Sequence, residues 1–328
     1  MSRVAGTSRG PTRTAPSSRT ARDGHASHRS APGGARAPRP ERHRIVHVRA
    51  LDGLRGMAVL AVVLYHFAPQ LLPGGFLGVD LFFVLSGFLI TSLLISEWSQ
   101  DARISLPNFW VRRARRLLPA LFVVLGGVGI WALFIADHVQ AEHVANDGLS
   151  VFVYAANWHF IASGQSYVQQ FVHQVPGPLR HMWSLAIEEQ FYLVWPIFVA
   201  ILIAAVAGRR RANAHQNRVR AVLAIGCLVL AIASVYRMVT LYARTGDVNR
   251  VYYGTDARAF MLLLGAALGA ATVGMPVLRS SNTRQRVVQL GCAVSVLLLV
   301  ALAWTTASAA WLYRGGYAVI AVGLTVVI

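Results

Sequence analysis

Polar and apolar positions divide the chain into a polar N-terminal stretch and a series of apolar runs, separated by short charged or Pro/Gly-rich breaks. From about Leu54 onward the runs reach or approach the roughly 20 apolar residues that a helix needs to cross a bilayer. The pattern predicts spans at about Leu54–Ala68 and Phe76–Ser96, a third ending near Ala136, and a fourth leading from His181–Tyr192 to about Ala207. Further spans follow at about Ala221–Ala243, Ala259–Gly274, Val287–Trp304 and Gly315–Ile328. A shorter run, Leu149–Ile161, is too short and too polar for a crossing. If it crossed, the next span would carry Arg209, Arg210, Arg211, Arg218 and Arg220 to the outside, against the positive-inside tendency. It therefore reads as a re-entrant or interfacial segment, tolerable where it lines a protein cavity. The expected fold is all-α: a polytopic transmembrane helical bundle of about eight crossings. The final run stops within apolar sequence, which suggests part of something longer.

Composition agrees with this picture. Apolar residues make up 55% of the chain and charged residues 13%, which does not suit a soluble domain of this length. The net charge of +18 would suggest nucleic acid if taken alone. Its distribution argues otherwise: all 31 basic residues are arginine, clustered in the N-terminal tail and the short loops between spans. That is the placement of the positive-inside rule, whereas a nucleic-acid binder shows a basic folded face with interleaved aromatics. Residues 1–48 hold five prolines and many Ser, Gly and Ala, too little apolar surface for a core, and read as a disordered cytoplasmic tail. No apolar core follows the early arginines, so the tail is not a secretory signal peptide. Residues 49–328 form the expected transmembrane domain. Cys227 and Cys292 sit in apolar runs and suggest neither a disulfide framework nor a metal site.

Several charged groups interrupt this apolar background. Arg55 and His66 are eleven residues apart, about three helical turns, so they share one face about 16 Å apart along the axis. Hydrocarbon offers an imidazole nothing to bond with, so a His inside a span marks a functional site or a packing contact satisfied by a neighbour. Asp80 enters the second span near the level of His66, where a carboxylate would orient the ring; a plain N-terminal helix charge is the alternative reading. Arg112, Arg113, Arg115 and Arg116 open the third span. They serve as topology anchors, or Arg113 and Arg116, sharing a face, form a bidentate clamp for phosphates. The re-entrant segment carries Tyr154, Asn157, Trp158 and His159. His181, Trp183, Ser184, Glu188 and Tyr192 open the fourth span and suggest a polar, aromatic-lined ligand site, with helix capping by the two acids Glu188 and Glu189 as the alternative. Asp256 and Arg258 read as an ion pair at a helix entry.

Four of these motifs occur together and in order: Arg55-x10-His66, the Gly78–Gly87 segment, Arg113-x-x-Arg116 and Trp183-Ser184-Leu185-x-x-Glu188. In this the sequence resembles the membrane-bound acyltransferases of acyltransferase family 3, bacterial O-acyltransferases of cell-surface glycans, peptidoglycan and some small molecules. The resemblance covers about residues 49–328. It implies a domain of about ten helices, of which this sequence supplies about two fewer, and in many members a further extracytoplasmic domain. It implies His66 as the catalytic residue and Arg113 and Arg116 as handling the acyl donor; the placement of the residues adds Glu188 and Asp80 as groups that tune the imidazole and Arg55 as a further contact of the donor. Trp183, Ser184, Tyr192 and Asn157 would then meet the acceptor. The expected donor is acyl-CoA, above all acetyl-CoA, used as a substrate with no resident cofactor or metal. The expected partners are a glycan or small hydroxylated acceptor and the lipid bilayer, with no nucleic acid. The expected location is the cytoplasmic membrane, with the N-terminus inside. A proton-coupled transporter or lipid-linked sugar flippase is the rival reading, in which the intramembrane His, Asp and Glu would relay protons; inverted repeats would support it, and none is visible.

Overall fold

The computed structural model describes residues 49–166, 177–207, 216–273 and 281–328. The polar tail and the arginines at 209–211 and 279 lie outside the described residues. Those described are helical almost throughout, with no β-strand among them. Arg44–Ile328 forms one compact unit.

The first helix, α1 (Arg49–Phe67), turns only a narrow stripe inward, with Leu51, Ala58, Ala61 and Tyr65 buried. Met57, Leu60 and Phe67 stand open on the outer side. In water such a face would be a liability; in lipid it is the ordinary surface of a peripheral span. After a single 3-10 turn, α2 (Gly78–Asp101) runs back and is buried along most of its length. A left-handed Ala102 ends it, and α3 (Leu106–Phe134) returns along the periphery with few buried positions.

The chain next forms a hairpin of short helices, α4 (His138–Phe152) and α5 (Ala156–Ala162). Asp137 opens α4 with a capping box, accepting from the Gln140 amide while the Gln140 side chain accepts from its own. Between the two helices Tyr154 takes a positive φ of 54°, which reverses the chain. The hairpin tip is fixed because Gln190 Nε2 donates to the Tyr154 carbonyl at 2.8 Å. Gln190 lies about two turns into the next helix, α6 (Met182–Ala207), so the Leu149–Ile161 run descends to that depth and turns back.

The remaining helices are α7 (Gln216–Thr245), the short α8 (Val248–Tyr253), α9 (Thr255–Thr272), α10 (Ser281–Trp304) and α11 (Tyr317–Val327). The helix α9 is the axis of the bundle and packs most extensively on α2 and α7. Its approach to α2 is backbone to backbone. A Cβ at Gly87 would collide with the Leu262 carbonyl, and one at Gly265 with the Val84 carbonyl. Small residues allow this, and dispersion between closely set helices replaces the hydrophobic drive that lipid cannot supply. Five helices, α1, α2, α3, α6 and α7, are long and apolar enough to cross a membrane. Shorter apolar helices lie at Gln285–Ala301 and Leu312–Val327. The chain is a multi-pass membrane protein, and each of the eight spans read from the sequence falls on one of its helices.

Candidate active site

His66 sits in the last turn of α1, exposed at the end of the helix. Its Nδ1 lies 2.8 Å from the Val62 carbonyl, one turn back. A carbonyl oxygen can only accept, so Nδ1 carries the hydrogen and Nε2 is the basic nitrogen of the neutral ring. Tyr65 packs edge-on against the imidazole, at 5.5 Å between ring centroids. Arg55, three turns along the same helix, is partly exposed and pairs with Asp52 at 3.8 Å. A second imidazole stands close by. His181, immediately before α6, is exposed in area, yet loss of surrounding water lowers its pKa, a bond to the Pro178 backbone acts the other way, and the nearby His66 lowers it further.

Neither carboxylate expected beside His66 bonds its ring. Glu188 is held deeper, on the second turn of α6, where Ser86 Oγ donates to Oε1 at 3.1 Å and the Tyr192 hydroxyl to Oε2 at 3.4 Å. Asp80 is fully buried and takes Arg258 as its partner. Arg258 in turn lies over the Tyr317 ring at 4.1 Å and the Tyr252 ring at 5.0 Å. This corrects two expectations. Asp80 does not orient His66, and Arg258 does not pair with Asp256, which is held by Arg250 at 2.8 and 2.9 Å and by Arg237 at 3.1 Å. The reason is helical geometry: residues two apart point to different sides, so Asp256 faces the rim while Arg258 turns into the bundle.

The two arginines of the expected clamp also separate. Arg113 folds inward, its guanidinium 3.4 Å from the centre of the Tyr192 ring and 3.3 Å from Glu189 Oε1. Arg116 is exposed. Arg113 Nε has no hydrogen-bond partner although it is buried, and the side chain lines a cleft of about 230 Å³ with Trp110, Tyr154, Glu189 and Gln190. Arg112, beside it, pairs with Glu97 at 3.4 Å. Ser86, Arg113, Glu188, Glu189 and Tyr192 thus bring α2, α3 and α6 to one polar centre inside the membrane domain.

The residues expected to meet the acceptor are mostly enclosed. Trp183 is 1% exposed and packs among Phe83, Tyr252 and Tyr253. Asn157 is fully buried, donating to the Tyr253 carbonyl at 3.0 Å and to Thr255 Oγ1 at 2.9 Å, and accepting from Gln190 Nε2 at 2.9 Å. Thr255 Oγ1 closes this ring of bonds by donating to Gln190 at 2.6 Å. Ser184 donates to the His181 carbonyl at 3.4 Å. Tyr192, 3% exposed, serves Glu188 and Arg113 as above. These side chains fix α5, α6 and α9 against one another.

Sequence reasoning gave no role to Ser86 beyond close packing, none to Arg180, and a mistaken one to Arg258. A usable signal existed for the two arginines. An Arg inside an apolar helix requires a buried counter-ion, and an Arg in a loop at the opposite end from the arginine-rich start of α3 departs from the one-sided charge bias.

The acyltransferase domain family matches residues 48–328. The chain is 38% identical over 289 residues to the peptidoglycan O-acetyltransferase OatA of Listeria monocytogenes, covering 87% of this chain and 44% of that protein. It is 38% identical over 292 residues to the putative peptidoglycan O-acetyltransferase YrhL of Bacillus subtilis, covering 88% of this chain and 43% of that protein. A putative O-acetyltransferase of Staphylococcus aureus is 37% identical over 284 residues, with 84% and 44% covered. The chain therefore spans less than half the length of these curated relatives. No solved structure matches. A match over nearly the whole of the helical domain places the chain in the acyltransferase domain family.

Proposed function

We propose that this protein is a membrane O-acyltransferase that moves an acetyl group from acetyl-CoA on the cytoplasmic side to a hydroxyl of a cell-envelope glycan on the other. The observation that carries the reading is His66: its Nδ1 is occupied by the Val62 carbonyl at 2.8 Å, which leaves Nε2 as the base. The similarity to a peptidoglycan O-acetyltransferase supports the transferred group and the acceptor class. The arginine-rich start of α3, the short arginine loops and the arginine-rich tail support a cytoplasmic N-terminus.

In this reading the donor phosphates meet Arg113, whose Nε is unbonded and whose cleft opens beside α3, with Arg116 at its exposed approach. Arg55, already holding Asp52, adds positive charge along the face that leads to His66. His66 Nε2 takes the proton of the acceptor hydroxyl as its oxygen attacks the thioester carbon. A C–O bond forms and the C–S bond breaks. The thiolate leaves with the CoA and is protonated there, and the imidazolium returns its proton to solvent. Glu188, held by Ser86 and Tyr192, belongs to the polar centre but stands off the ring.

The test is radiolabelled acetyl transfer by the purified protein in lipid, with His66→Gln beside wild type. Gln keeps much of the size and some hydrogen bonding but cannot take the proton. Transfer should fall by at least 10³-fold, the upper part of the general-base range of 10²–10⁴, with insertion and melting temperature unchanged. A Gln variant that transfers near the wild-type rate would sink the assignment.

A further inference from the structure

On the bundle end that carries His66, the structure holds a second cleft. It measures about 200 Å³ and is lined by Trp131 at the end of α3, by Gln140, His143 and Asp147 on α4, and by Gln165 and Arg180. None of these residues belongs to the motifs discussed above. We propose that this cleft is the acceptor subsite and takes one neutral, hydroxyl-rich sugar unit of the glycan, a proposal that rests on the acetyl-transfer reading.

The chemistry of the lining selects the ligand. Asp147 is buried, its side chain 3% exposed, and its Oδ1 accepts from His159 Nε2 at 3.1 Å and Gln165 Nε2 at 3.0 Å. Those bonds fix the carboxylate and leave Oδ2 toward Gly177, where a Cβ would lie 3.5 Å from it. Gly177 lines the same cleft, and its lack of a side chain leaves space beside that oxygen. A held carboxylate oxygen is an acceptor for a hydroxyl and repels an anion. Arg180, whose Nη1 donates to the Ser166 carbonyl at 2.9 Å and Nη2 to Gln165 Oε1 at 3.4 Å, braces the wall and balances that charge, so the lining favours a neutral ligand over a charged one. The amides of Gln140 and Gln165 both donate and accept, as adjacent sugar hydroxyls do. Trp131 supplies an apolar ring face for the CH side of a pyranose. These polar groups stand among the apolar surfaces of Trp131, Val144 and Pro178, the mixture of faces that a pyranose presents, and the cleft volume is on the scale of a single ring.

Position supports the same conclusion. α2 reverses α1 and α3 reverses α2, so the ends of α1 and α3 lie on one side of the domain. Arg180 directly precedes His181 at the entry to α6, on the same side of the domain as the last turn of α1 that carries His66. A sugar held in the cleft would have its neighbouring residue in the chain directed toward that pair of imidazoles.

The test uses the full chain in lipid nanodiscs and the β-1,4-linked tetramer of N-acetylglucosamine as probe, followed by saturation-transfer NMR and tryptophan quenching. Gly177→Val narrows the cleft without removing any side chain that bonds Asp147 or Arg180. It should weaken tetramer binding at least tenfold, as should Trp131→Ala, while Val123→Ala on the lipid face of α3 changes nothing. Absence of binding to wild type, or binding to Gly177→Val within twofold of wild type, overturns the subsite. Donor chemistry is read separately, as acetyl-CoA turnover with and without His66→Gln. If turnover does not depend on His66 but the tetramer binds and is lost in Gly177→Val, the catalytic reading fails and the sugar site stands. If His66-dependent turnover holds and Gly177→Val transfers acetyl to the tetramer normally, the sugar site fails and the catalytic reading stands.

Discussion

At the scale of single residues, the side chains of the Arg113-x-x-Arg116 motif have different surroundings although they share a helix face. Arg113 is folded against Tyr192 and Glu189, and Arg116 is exposed. A guanidinium over a ring uses its planar, delocalised charge, which an ammonium on a flexible stem cannot reproduce. Arg113→Lys should therefore raise the donor Kd about tenfold, ~1.4 kcal/mol, whereas Arg116→Lys should change it less than threefold; titration of acetyl-CoA into the purified protein distinguishes them. The His181 pKa, lowered chiefly by burial, gives a second prediction with a definite sign. A His whose folded pKa is depressed favours the fold in its neutral form. That contribution is present above the unfolded value of about 6.5 and is lost as pH falls from there through the lower folded value. Melting temperatures measured from pH 8 down to pH 5 should fall more steeply for wild type than for His181→Gln, the curves parting below about pH 6.5. Parallel curves would show that His181 is not held neutral by its surroundings.

At the scale of elements, the helices α2 and α9 meet by backbone approach at Gly87 and Gly265, and their one buried charge pair is Asp80–Arg258 among the described residues. The pair is incompletely bonded: Asp80 Oδ2, Arg258 Nε and Nη1, and the Tyr317 hydroxyl are buried with no hydrogen-bond partner. Desolvating two charges is costly, and so incomplete a set of bonds does not offset it fully. Breaking the pair is nonetheless worse than replacing it, since one uncompensated charge remains. Asp80→Leu should lower stability by about 3–5 kcal/mol, and the double change Asp80→Leu, Arg258→Met should recover most of it. Urea or thermal unfolding in detergent measures both, and a double variant no better than the single would show that the pair carries the packing of these helices. The hairpin of α4 and α5 is an element of another kind. Its backbone leaves regular helix at Tyr154 inside the domain, which is tolerable because Gln190 binds the carbonyl there.

At the scale of the whole molecule, alternation of the helices α1, α2, α3, α6 and α7 places Arg103 and Arg218 at one end, and Gln70 and Glu142 at the other; all four are exposed. In a Cys292→Ser background, with buried Cys227 retained, single cysteines at Arg103 and Arg218 should be protected from impermeant maleimide in intact cells. Cysteines at Gln70 and Glu142 should react, and the opposite pattern would invert the proposed orientation and with it the assignment of donor and acceptor sides. The sequence by itself determined the helical class and the eight apolar segments, because span length and hydrophobicity are local properties that lipid enforces one helix at a time. It also determined that Arg55 and His66 share a face, since both lie on one continuous helix. Tertiary structure alone decided the partners. Glu188 bonds Ser86 across 102 positions of sequence, and Asp80 bonds Arg258 across 178. No periodicity encodes which of several buried charges will meet; that follows from how the helices cross, here fixed by glycines that bring α2 and α9 together. For the same reason Asn157 and Trp183, chemically suited to a ligand, are enclosed in packing, while the open cleft is lined by Trp131, Asp147 and Arg180, which become neighbours only when α3, α4 and the entry to α6 converge.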